Sequence, residues 1–313
     1  MTRVLVTGAG GFVGRQFLTL IRETRFDIEI LPSFPDITDA DAVEQTITAL
    51  RPDVVFHFAA VSSIGSARLA PERAWEVNLH GTLNVARAIR HTVSSCLLVF
   101  ASSAEAYGDS FRSGMPLSET AALAPGNTYS ATKAAADLAL GALAHDGLQT
   151  VRVRPFNHTG AGQAEAFVVP AFARQLALIE AGQQEPVISV GNLEAERDFL
   201  DVKDVCAAYL ACLDRATNLT PGAIFNLCSE YTRSIRSVLD DLLRISGLTV
   251  RVEIAPEKLR PVDIPRACGN SAHARAVLGW KPRIAWDDTL SSVLADWRER
   301  VRTHNICTKD HSC

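Results

Sequence analysis

The sequence predicts an α/β fold with a doubly wound parallel sheet and a second, smaller α/β domain. Three observations predict it. In the first half, short runs that are apolar on both faces alternate with longer segments whose apolar residues recur at helical spacing. A glycine-rich turn joins the first strand to the first helix. From about residue 156 the pattern is less regular, which indicates a separate and smaller domain.

The regular first half is built from alternating strands and helices. The predicted strands are Val4–Thr7, Val54–Phe58, Leu97–Ala101 and Thr150–Arg154. The predicted helices between them are Phe12–Thr24, Ala40–Leu50, Pro71–Arg90 and Tyr129–His145. Asp39 is the expected N-cap of the second helix, and Pro71 suits the first turn of the third.

The second half contains helices separated by Gly/Pro loops and short strands. The predicted helices are Val169–Ala181, Val202–Arg215, Ile235–Ser246 and Thr289–Arg302, and the strands are Val187–Val190, Ile224–Asn226 and Val250–Ile254. We therefore divide the chain into residues 1–160, to which some later segments return, residues 161–303, and a frayed tail at 304–313. No flexible linker separates the halves, so we expect them to share a cleft.

The composition is that of an ordinary globular protein, with 313 residues, 47% apolar and 21% charged. Its 31 Lys and Arg against 35 Asp and Glu leave a net charge of −4, which excludes the broadly basic surface of a nucleic-acid-binding protein. No apolar run reaches the ~18–20 residues that span a bilayer, so no membrane association is expected. We predict a soluble protein.

The cysteines and histidines indicate neither a disulfide framework nor a metal site. The seven cysteines are scattered and contain no C-x-x-C pair, which predicts free thiols in a reducing cytoplasm. The eight histidines are dispersed, so no metal ligand cluster is predicted. Residues 3–7 form a strand and not the charged and apolar head of a signal peptide, which also favours the cytoplasm.

The loop between the first strand and the first helix predicts a dinucleotide-binding site of the Rossmann type. Gly8, Gly11 and Gly14 allow a tight turn, a close approach of the main chain to a pyrophosphate, and packing of the helix on the sheet. Phe12 and Val13 begin the helix, whose free N–H groups and positive dipole end favour phosphate. The strand–turn–helix context makes this motif specific.

The choice between NAD(H) and NADP(H) stays open. The acidic residue expected about 20 positions on, at the end of the second strand, is missing: in the run Glu29-Ile30-Leu31-Pro32-Ser33, no carboxylate stands after the strand. No arginine for a 2′-phosphate replaces it. Asp36 and Ile37 are candidate contacts of the adenine edge. Phe58, Ala59 and Ala60 are candidates for a close contact with the cofactor backbone, because small residues follow the strand there.

A tyrosine and a lysine at i and i+4 are the candidate acid–base residues. Tyr129 and Lys133 lie on one face of a predicted helix, where the lysine is expected to lower the pKa of the tyrosine. Ser102 and Ser103 end a core strand at the edge where such sheets bind ligands. The alternative is a solvated helix pair and two serines that cap a turn.

Together, the glycine triplet, the Ser103 strand end and the Tyr129/Lys133 pair resemble the extended short-chain dehydrogenase/reductase family over nearly the whole chain. The resemblance implies that Ser103, Tyr129 and Lys133 form a catalytic triad. Tyr129 would exchange a proton with the substrate oxygen, Lys133 would hold the nicotinamide ribose, and Ser103 would hydrogen-bond the reacting oxygen. Asn78 matches the structural asparagine behind the site, and Pro155 is implied at the cofactor.

The second half resembles the sugar-nucleotide-modifying members of that family. This implies that residues 161–303 form a nucleotide-sugar-binding domain, next to an NAD(P)-binding domain at 1–160. Arginines from two distant segments suit a bidentate clamp on a diphosphate. The implied substrate-binding residues are Ser103, Asn157, Val169, Arg174, Arg197, Arg260 and Asp263.

Among these members, residues 154–163 and 191–199 are most similar to the GDP-4-keto-6-deoxy-D-mannose reductases. The resemblance implies NAD(P)H-dependent reduction of the C4 ketone of GDP-4-keto-6-deoxy-D-mannose to GDP-D-rhamnose. It also implies a homodimer in which Pro71–Arg90 and Tyr129–His145 of each chain form the interface. Asn270 departs from the pattern, because an aspartate is usual there.

Two other functions stay open. The sequence from Ser103 to Glu105 resembles the Ser/Thr-x-Glu of GDP-mannose 4,6-dehydratases, in which the carboxylate removes the C5 proton. Glu105 could therefore be the base of a dehydratase or a bifunctional enzyme. A non-catalytic dinucleotide sensor would be expected to lack part of the triad, whereas all three residues are present.

Overall fold

Strands and helices alternate along the chain. The computed structural model describes residues 1–259 and 264–309, with side chains through residue 303. The strands are β1 (Thr2–Thr7), β2 (Ile28–Ile30), β3 (Val54–His57), β4 (Leu97–Ala101), β5 (Thr150–Pro155), β6 (Asn157–Thr159), β7 (Val187–Val190), β8 (Glu196–Asp201), β9 (Ala223–Leu227), β10 (Thr232–Ser234), β11 (Arg251–Ile254) and β12 (Arg266–Ala267). The helices are α1 (Phe12–Thr24), α2 (Ala40–Leu50), α3 (Ile64–Leu69), α4 (Pro71–Trp75), α5 (Thr82–Thr92), α6 (Thr128–His145), α7 (Val168–Glu180), α8 (Val202–Asp214), α9 (Ile235–Ser246), α10 (Ala272–Leu278) and α11 (Trp286–Lys309).

A six-stranded parallel sheet with the strand order β2-β1-β3-β4-β5-β9 forms the centre of the molecule. Helices α1 and α8 cover one face, and α2, α5 and α6 cover the other. The direction of the strand order reverses between β1 and β3, and open α/β sheets bind ligands beside the carboxyl ends of the strands at such a point. The predicted fold class is confirmed.

A smaller α/β unit continues from the carboxyl end of β5. Strand β8 lies between antiparallel β10 and parallel β12, and β6 also pairs with β8. Strands β7 and β11 form a separate parallel pair, and α7, α9 and α11 share one apolar core with β7. Only Phe156 separates β5 from β6, so the chain passes from the main sheet into the smaller unit without a linker.

Residues beyond the predicted boundary at 160 complete the main sheet. Strand β9 pairs with β5, and α8 and α10 pack into the core that α1 covers. The indole of Trp280 belongs to this core and donates to the carbonyl oxygen of Asp204 at 2.8 Å. The chain therefore enters the smaller unit, returns to the sheet and leaves it again.

Strands β6 and β8 were not predicted. Strand β6 forms because its main chain pairs with β8. The polar start of β8 at Glu196 hides its strand character. Helix α11, which contains neither Gly nor Pro, continues through residue 309, into the segment expected to be frayed. Residues 310–313 lie outside the described part of the chain.

The predicted helix Pro71–Arg90 is divided by a π-helical turn at Glu76–Gly81. Such turns insert an extra residue and recur at functional sites. Here the turn buries Asn78, whose Oδ1 accepts from the Val61 amide at 2.8 Å. The N-cap of α2 by Asp39 and the position of Pro71 in the first turn of α4 are confirmed.

The five cysteines whose side chains the structure describes are buried and carry free thiols: Cys96, Cys206, Cys212, Cys228 and Cys268. Burial raises the pKa of Cys96 to about 12, so this thiol is not a reactive thiolate at neutral pH. Among the described residues, no helix combines the length and the apolar character that crossing a membrane requires.

A buried ion pair fastens α6 to the sheet. Arg154 of β5 donates to both carboxylate oxygens of Asp137, at 2.9 and 2.8 Å, and Arg152 adds a contact at 3.1 Å. The hydroxyl of Ser102, just after β4, donates to the same carboxylate at 2.6 Å. Burial favours the neutral acid, but Arg154 outweighs it and the pKa of Asp137 is lowered. The carboxylate is therefore charged and fixes the position of α6.

We expect Arg154→Leu to lower the free energy of unfolding by about 3 kcal/mol, because it removes the main cation that faces a buried carboxylate. Urea unfolding followed by circular dichroism measures the loss. Arg112→Leu is the matched control, since the Arg112–Asp109 pair is exposed and such pairs contribute less than about 1 kcal/mol. Equal losses in the two variants would contradict the structural role of the buried pair.

Candidate active site

The glycine loop lies against the end of β3, at the point where the strand order reverses. Gly8 has a φ of +69°, and a Cβ there would lie 2.6 Å from the Ala59 amide nitrogen. A Cβ on Gly14 would overlap the Gly8 carbonyl oxygen and lie 2.8 Å from the Ala9 Cα. Only glycine fits these two positions, because any side chain would push the main chain of the loop apart.

The amino end of α1 fits the pyrophosphate of a dinucleotide. Its N-cap is Gly11, which makes no side-chain capping bond, and its first turn contains no acidic residue. The N–H groups at Phe12 and Val13 are thus available to an anion, and the helix dipole adds favourable charge. Phe58, Ala59 and Ala60 follow β3 at the same edge and are partly exposed. The structure places these predicted residues together.

The predicted adenine contacts lie beside the end of β2. Asp36 accepts from the amide and the hydroxyl of Thr38 at 3.0 and 2.9 Å, and pairs with Arg73 at 3.0 Å. The bonds from Thr38, followed by Arg73, lower the pKa of Asp36. Ile37 is buried under Gly81, where a Cβ would collide with its side chain.

The loop after β6 is hydrogen-bonded to both α1 and α11. The Gln16 side-chain amide donates to the Ala161 carbonyl oxygen at 2.9 Å, and Arg15 donates to the Gly162 carbonyl oxygen at 3.3 Å. The Gly162 amide in turn donates to Asp296 of α11 at 2.9 Å. These hydrogen bonds therefore fix the position of α1, which begins at the glycine loop, relative to the segment that follows β6.

Ser103, Glu105 and Tyr129 meet at the carboxyl end of β4. Tyr129 lies in the first turn of α6, which Asn127 caps by accepting from the Ser130 amide at 2.9 Å. The Ser103 hydroxyl hydrogen-bonds the Tyr129 side chain and also accepts from the Glu105 amide at 3.1 Å. The charge of Glu105 is close enough to Tyr129 to affect its pKa. A phenol, a hydroxyl and a carboxylate thus face one site.

The predicted direction of the Tyr129 pKa is wrong. Desolvation raises this pKa to about 12, the hydrogen bond from Ser103 lowers it only in part, and the Glu105 carboxylate raises it further. The sequence-based expectation considered only the lysine one turn away. At neutral pH the phenol is therefore protonated, as a proton donor must be.

Lys133 is buried beneath this site, with 3% of its surface exposed. Its Nζ donates to the Ala101 carbonyl oxygen and lies 4.5 Å from the centre of the Phe100 ring. Desolvation lowers the pKa of Lys133 to about 7, although the charge of Asp137 opposes this shift. Near neutral pH the amine can therefore gain or lose its proton easily.

Asn78 and Pro155 lie behind the site, and both are buried. Asn78 Nδ2 donates to the Val61 carbonyl oxygen at 3.1 Å and to the Thr132 hydroxyl at 2.9 Å. The Thr132 hydroxyl donates to the Tyr129 carbonyl oxygen at 2.8 Å. These contacts suit the structural role that the resemblance implies for Asn78.

The predicted substrate residues are spread over the smaller unit. Asn157 begins β6, opposite Phe199 of β8. Arg174 of α7 pairs with Glu165 at 2.5 Å and lines a surface cavity of about 400 Å³ with Gln175, Gln184 and Lys258.

Two further predicted positions of the smaller unit are buried. Val169 packs in the core of that unit. Arg197 donates to the carbonyl oxygens of Glu196 and Ile264 at 2.9 and 2.7 Å. Arg260 and Asp263 lie outside the described residues.

Two residues near the site were missed by sequence reasoning. His158 stacks on Phe12 with their rings parallel within 5° and 6.3 Å apart, and desolvation lowers its pKa. A single histidine among dispersed ones carries no sequence signal for this stacking contact. Asp137 lies four residues after Lys133, as Lys133 does after Tyr129, so helical spacing alone could have placed it on that face.

Comparison with known proteins identifies the family. The family profile described as GDP-mannose 4,6 dehydratase matches residues 29–293. The chain belongs to this family. A relative, the GDP-6-deoxy-D-mannose reductase of Pseudomonas aeruginosa, is 33% identical over 303 residues, which cover 96% of this chain and 98% of that protein. The predicted resemblance to sugar-nucleotide-modifying dehydrogenases/reductases is thereby confirmed.

Solved structures resemble this GDP-mannose 4,6-dehydratase family member over nearly its full length. The structure of RMD from Pseudomonas aeruginosa complexed with NADPH is 31% identical, has a TM-score of 0.88, and matches over 96% of this chain and 100% of that chain. The complex of Thermus thermophilus UDP-glucose 4-epimerase with NAD is 27% identical, with a TM-score of 0.82 and coverage of 95% and 99%.

In this family member, we expect Gly14→Ala to lower both the melting temperature and the affinity for NADPH, the latter at least about tenfold, because the new methyl group must displace the glycine loop. Scanning fluorimetry and NADPH titration measure the two effects. Gly10→Ala is the control for stability, since a Cβ there meets no atom within 4 Å. A Gly14→Ala variant as stable as Gly10→Ala would contradict this close packing.

We expect Lys133→Met to be more stable than the wild type at pH 7, on the order of 2 kcal/mol, because a buried amine is costly to desolvate. The pKa of Lys133 is about 7 when folded, against 10.5 for a fully solvated lysine. Between these values the unfolded wild type binds more protons, so its stability rises with pH and the advantage of the variant shrinks. Thermal unfolding across this pH range measures the difference.

Lys281→Met is the control, because Lys281 is exposed and its replacement leaves that pH dependence unchanged. An advantage of Lys133→Met that grows as the pH rises would contradict the lowered pKa.

Proposed function

We propose that the chain is an NAD(P)-dependent oxidoreductase that reduces the C4 ketone of GDP-4-keto-6-deoxy-D-mannose to give GDP-D-rhamnose. The match over 98% of the length of the GDP-6-deoxy-D-mannose reductase of Pseudomonas aeruginosa carries this proposal. The glycine loop beside β3 and the hydrogen-bonded Ser103 and Tyr129 after β4 support the chemistry, because they lie at the same edge of the sheet.

Tyr129 is the proton donor in this proposal. A bound nicotinamide cofactor supplies the hydride for the C4 carbon. The Tyr129 phenol gives its proton to the C4 oxygen, and the Ser103 hydroxyl holds that oxygen by a hydrogen bond. One hydride and one proton convert the ketone to the alcohol. The high pKa of Tyr129 keeps the donor protonated at neutral pH.

In this proposal, the glycine loop and the first turn of α1 hold the pyrophosphate of the cofactor. Lys133 and Tyr129 hold the nicotinamide ribose, and Asn78 and Pro155 support them. The proposal leaves the choice between NADPH and NADH open, because residues 31–33 after β2 carry neither a carboxylate for the ribose of NADH nor an arginine for the 2′-phosphate of NADPH. The relatives of known structure were solved with NADPH and with NAD.

The GDP-linked sugar binds across β6, β8 and α7 in this proposal. Asn157, Arg197 and Arg260 hold the diphosphate, and Asp263 contributes to the same substrate site; Arg260 and Asp263 lie outside the described residues. Val169 and Arg174 border the base. The surface cavity beside Arg174 supports a ligand on this face of α7.

A dehydratase or bifunctional enzyme is the second candidate. The observation that favours it is the carboxylate of Glu105, whose charge acts on Tyr129. A base at that place could remove the C5 proton of GDP-mannose derivatives, and the matching family profile bears the dehydratase name.

We further propose that the protein works as a homodimer in the cytoplasm. Leu69 of α3 and Leu138 of α6 expose 84% and 59% of their surfaces, and Trp75 of α4 exposes 37%. Apolar side chains on neighbouring helices that remain this exposed favour burial against a second copy. The free, buried cysteines support a reducing compartment.

We expect the purified protein to convert GDP-4-keto-6-deoxy-D-mannose to GDP-D-rhamnose with NADPH or NADH, with the product identified by NMR. Tyr129→Phe should lower kcat by about 10²–10³-fold and leave the NADPH affinity nearly unchanged, because it removes the donated proton and keeps the ring, while Lys133 and the glycine loop still hold the cofactor. Tyr231→Phe, which alters an exposed tyrosine, is the control and should retain full turnover.

The same assay separates the alternatives. Loss of water from GDP-mannose in the presence of oxidised cofactor would favour the dehydratase. Binding of NADPH without turnover of either sugar would favour a non-catalytic sensor. Near-normal turnover by Tyr129→Phe would contradict the proposed mechanism.

A further inference from the structure

A buried histidine connects the last residue of β1 with the helices behind the active site. His57 ends β3 and lies directly opposite Thr7, the last residue of β1, in the parallel sheet. Its side chain is buried, with 1% of the residue exposed. The Thr7 hydroxyl oxygen is 2.6 Å from Nδ1, and the Thr82 hydroxyl oxygen is 2.9 Å from Nε2. The proposed reaction assigns no role to this ring.

For a neutral ring, only one placement of the hydrogens satisfies all these contacts. The Thr82 hydroxyl donates to the Asn78 carbonyl oxygen at 2.7 Å, so it accepts from Nε2 of His57. Burial lowers the pKa of His57 to about 3, so the ring is neutral and Nδ1 is an acceptor. The Thr7 hydroxyl therefore donates to Nδ1, and it accepts from the Ala59 amide at 3.3 Å.

On the Nδ1 side, these bonds reach the glycine loop. Thr7 immediately precedes Gly8, and the Ala59 amide that bonds Thr7 is the group against which Gly8 packs. The position of the Thr7 hydroxyl therefore sets both the start of the loop and its distance from the end of β3.

On the Nε2 side, the bonds reach the helix that carries the tyrosine. Asn78 belongs to the π-helical turn, and Thr82 is the first residue of α5. Asn78 donates to Thr132, which donates to the Tyr129 carbonyl oxygen. The His57 ring also stacks on Phe100 with 5.8 Å between ring centres.

We propose that His57 is a positioning residue that places the glycine loop and the first turn of α6 relative to each other. It acts through two separate bonds, with Nδ1 accepting on the cofactor side and Nε2 donating on the tyrosine side. The inference rests on the proposed function for its turnover measurement, whereas cofactor affinity and the state of the ring are measured independently of it.

Two conservative variants separate the two bonds. In His57→Asn, the side-chain oxygen can replace Nδ1 as the acceptor from Thr7, and the donor to Thr82 is lost. In His57→Gln, the side-chain amide can replace Nε2 as the donor to Thr82, and the acceptor is lost. We expect His57→Asn to lower kcat about tenfold with nearly normal NADPH affinity, and His57→Gln to weaken NADPH binding about tenfold with a smaller loss of kcat. His57→Leu should lose both.

The ring itself provides a measurement on the wild-type protein. In ¹⁵N-labelled wild-type protein, NMR should show His57 as the neutral Nε2–H tautomer from about pH 5 to about pH 9; the signal is assigned by its absence in a folded His57 variant. His91→Gln is the control for histidine replacement, because His91 is exposed and far from these contacts; it should retain kcat and affinity.

Opposite changes in His57→Asn and His57→Gln, together with the Nε2–H tautomer, would support the positioning role. Equal losses of kcat and affinity in both variants would show a merely structural histidine and overturn it, as would an Nδ1–H tautomer. If no sugar is turned over by the wild type, the proposed function fails, and NADPH affinity with the ring tautomer still decides the role of His57.

Discussion

Asp137 brings a negative charge into the interior of the protein, and the arginines of β5 neutralise it. A buried carboxylate is tolerated only when it is paired and hydrogen-bonded. Helix α6 can therefore neither slide nor rotate on the sheet without exposing an unpaired charge. Because Tyr129 and Lys133 precede Asp137 on the same face of that helix, this restriction sets their position relative to the end of β4. Ser102, which bonds Asp137, is the neighbour of Ser103, so one network positions both sides of the site.

The candidate active site holds two ionisable groups with shifted pKa values, of which only the Lys133 amine lowers stability at neutral pH, because the Tyr129 phenol is neutral there whether the chain is folded or unfolded. Burial favours the neutral phenol of Tyr129 and the neutral amine of Lys133, and it moves their pKa values to about 12 and about 7. Such shifts are frequent at functional sites, since groups placed for chemistry are seldom placed for stability. The ion pair of Asp137 holds the same helix on the sheet in spite of the desolvation cost of the Lys133 amine.

The two halves of the chain work as one unit because the chain passes between them repeatedly. Strand β5 runs into β6 across a single residue, and the loop after β6 is bonded to both α1 and α11. A helix that begins at the glycine loop is thereby connected to the segment proposed to face the diphosphate. Under the proposed function, the cofactor and the sugar would be bound by segments whose relative positions are fixed, which favours transfer of a hydride between them.

Much of this molecule was predictable from local patterns. The alternation of strands and helices, the glycine loop and the shared face of Tyr129 and Lys133 each follow from spacing over a few residues, and spacing is fixed by the geometry of helices and strands. Family resemblance added the catalytic role of Ser103 and the substrate class. The polar start of β8 and the π-helical turn escaped prediction, because pairing and packing with distant segments decided them.

The sequence by itself determined the fold class, the place of the dinucleotide site and the residue types available for acid–base chemistry. Only the tertiary structure decided the pKa values and the hydrogen-bond partners of these residues. The Tyr129 pKa rises instead of falling because desolvation, which depends on everything packed around the side chain, exceeds the effect of one neighbour. His57 is a lone residue in the sequence, yet its partners Thr7 and Thr82 lie 50 and 25 residues away, where only the fold brings them within reach of one ring.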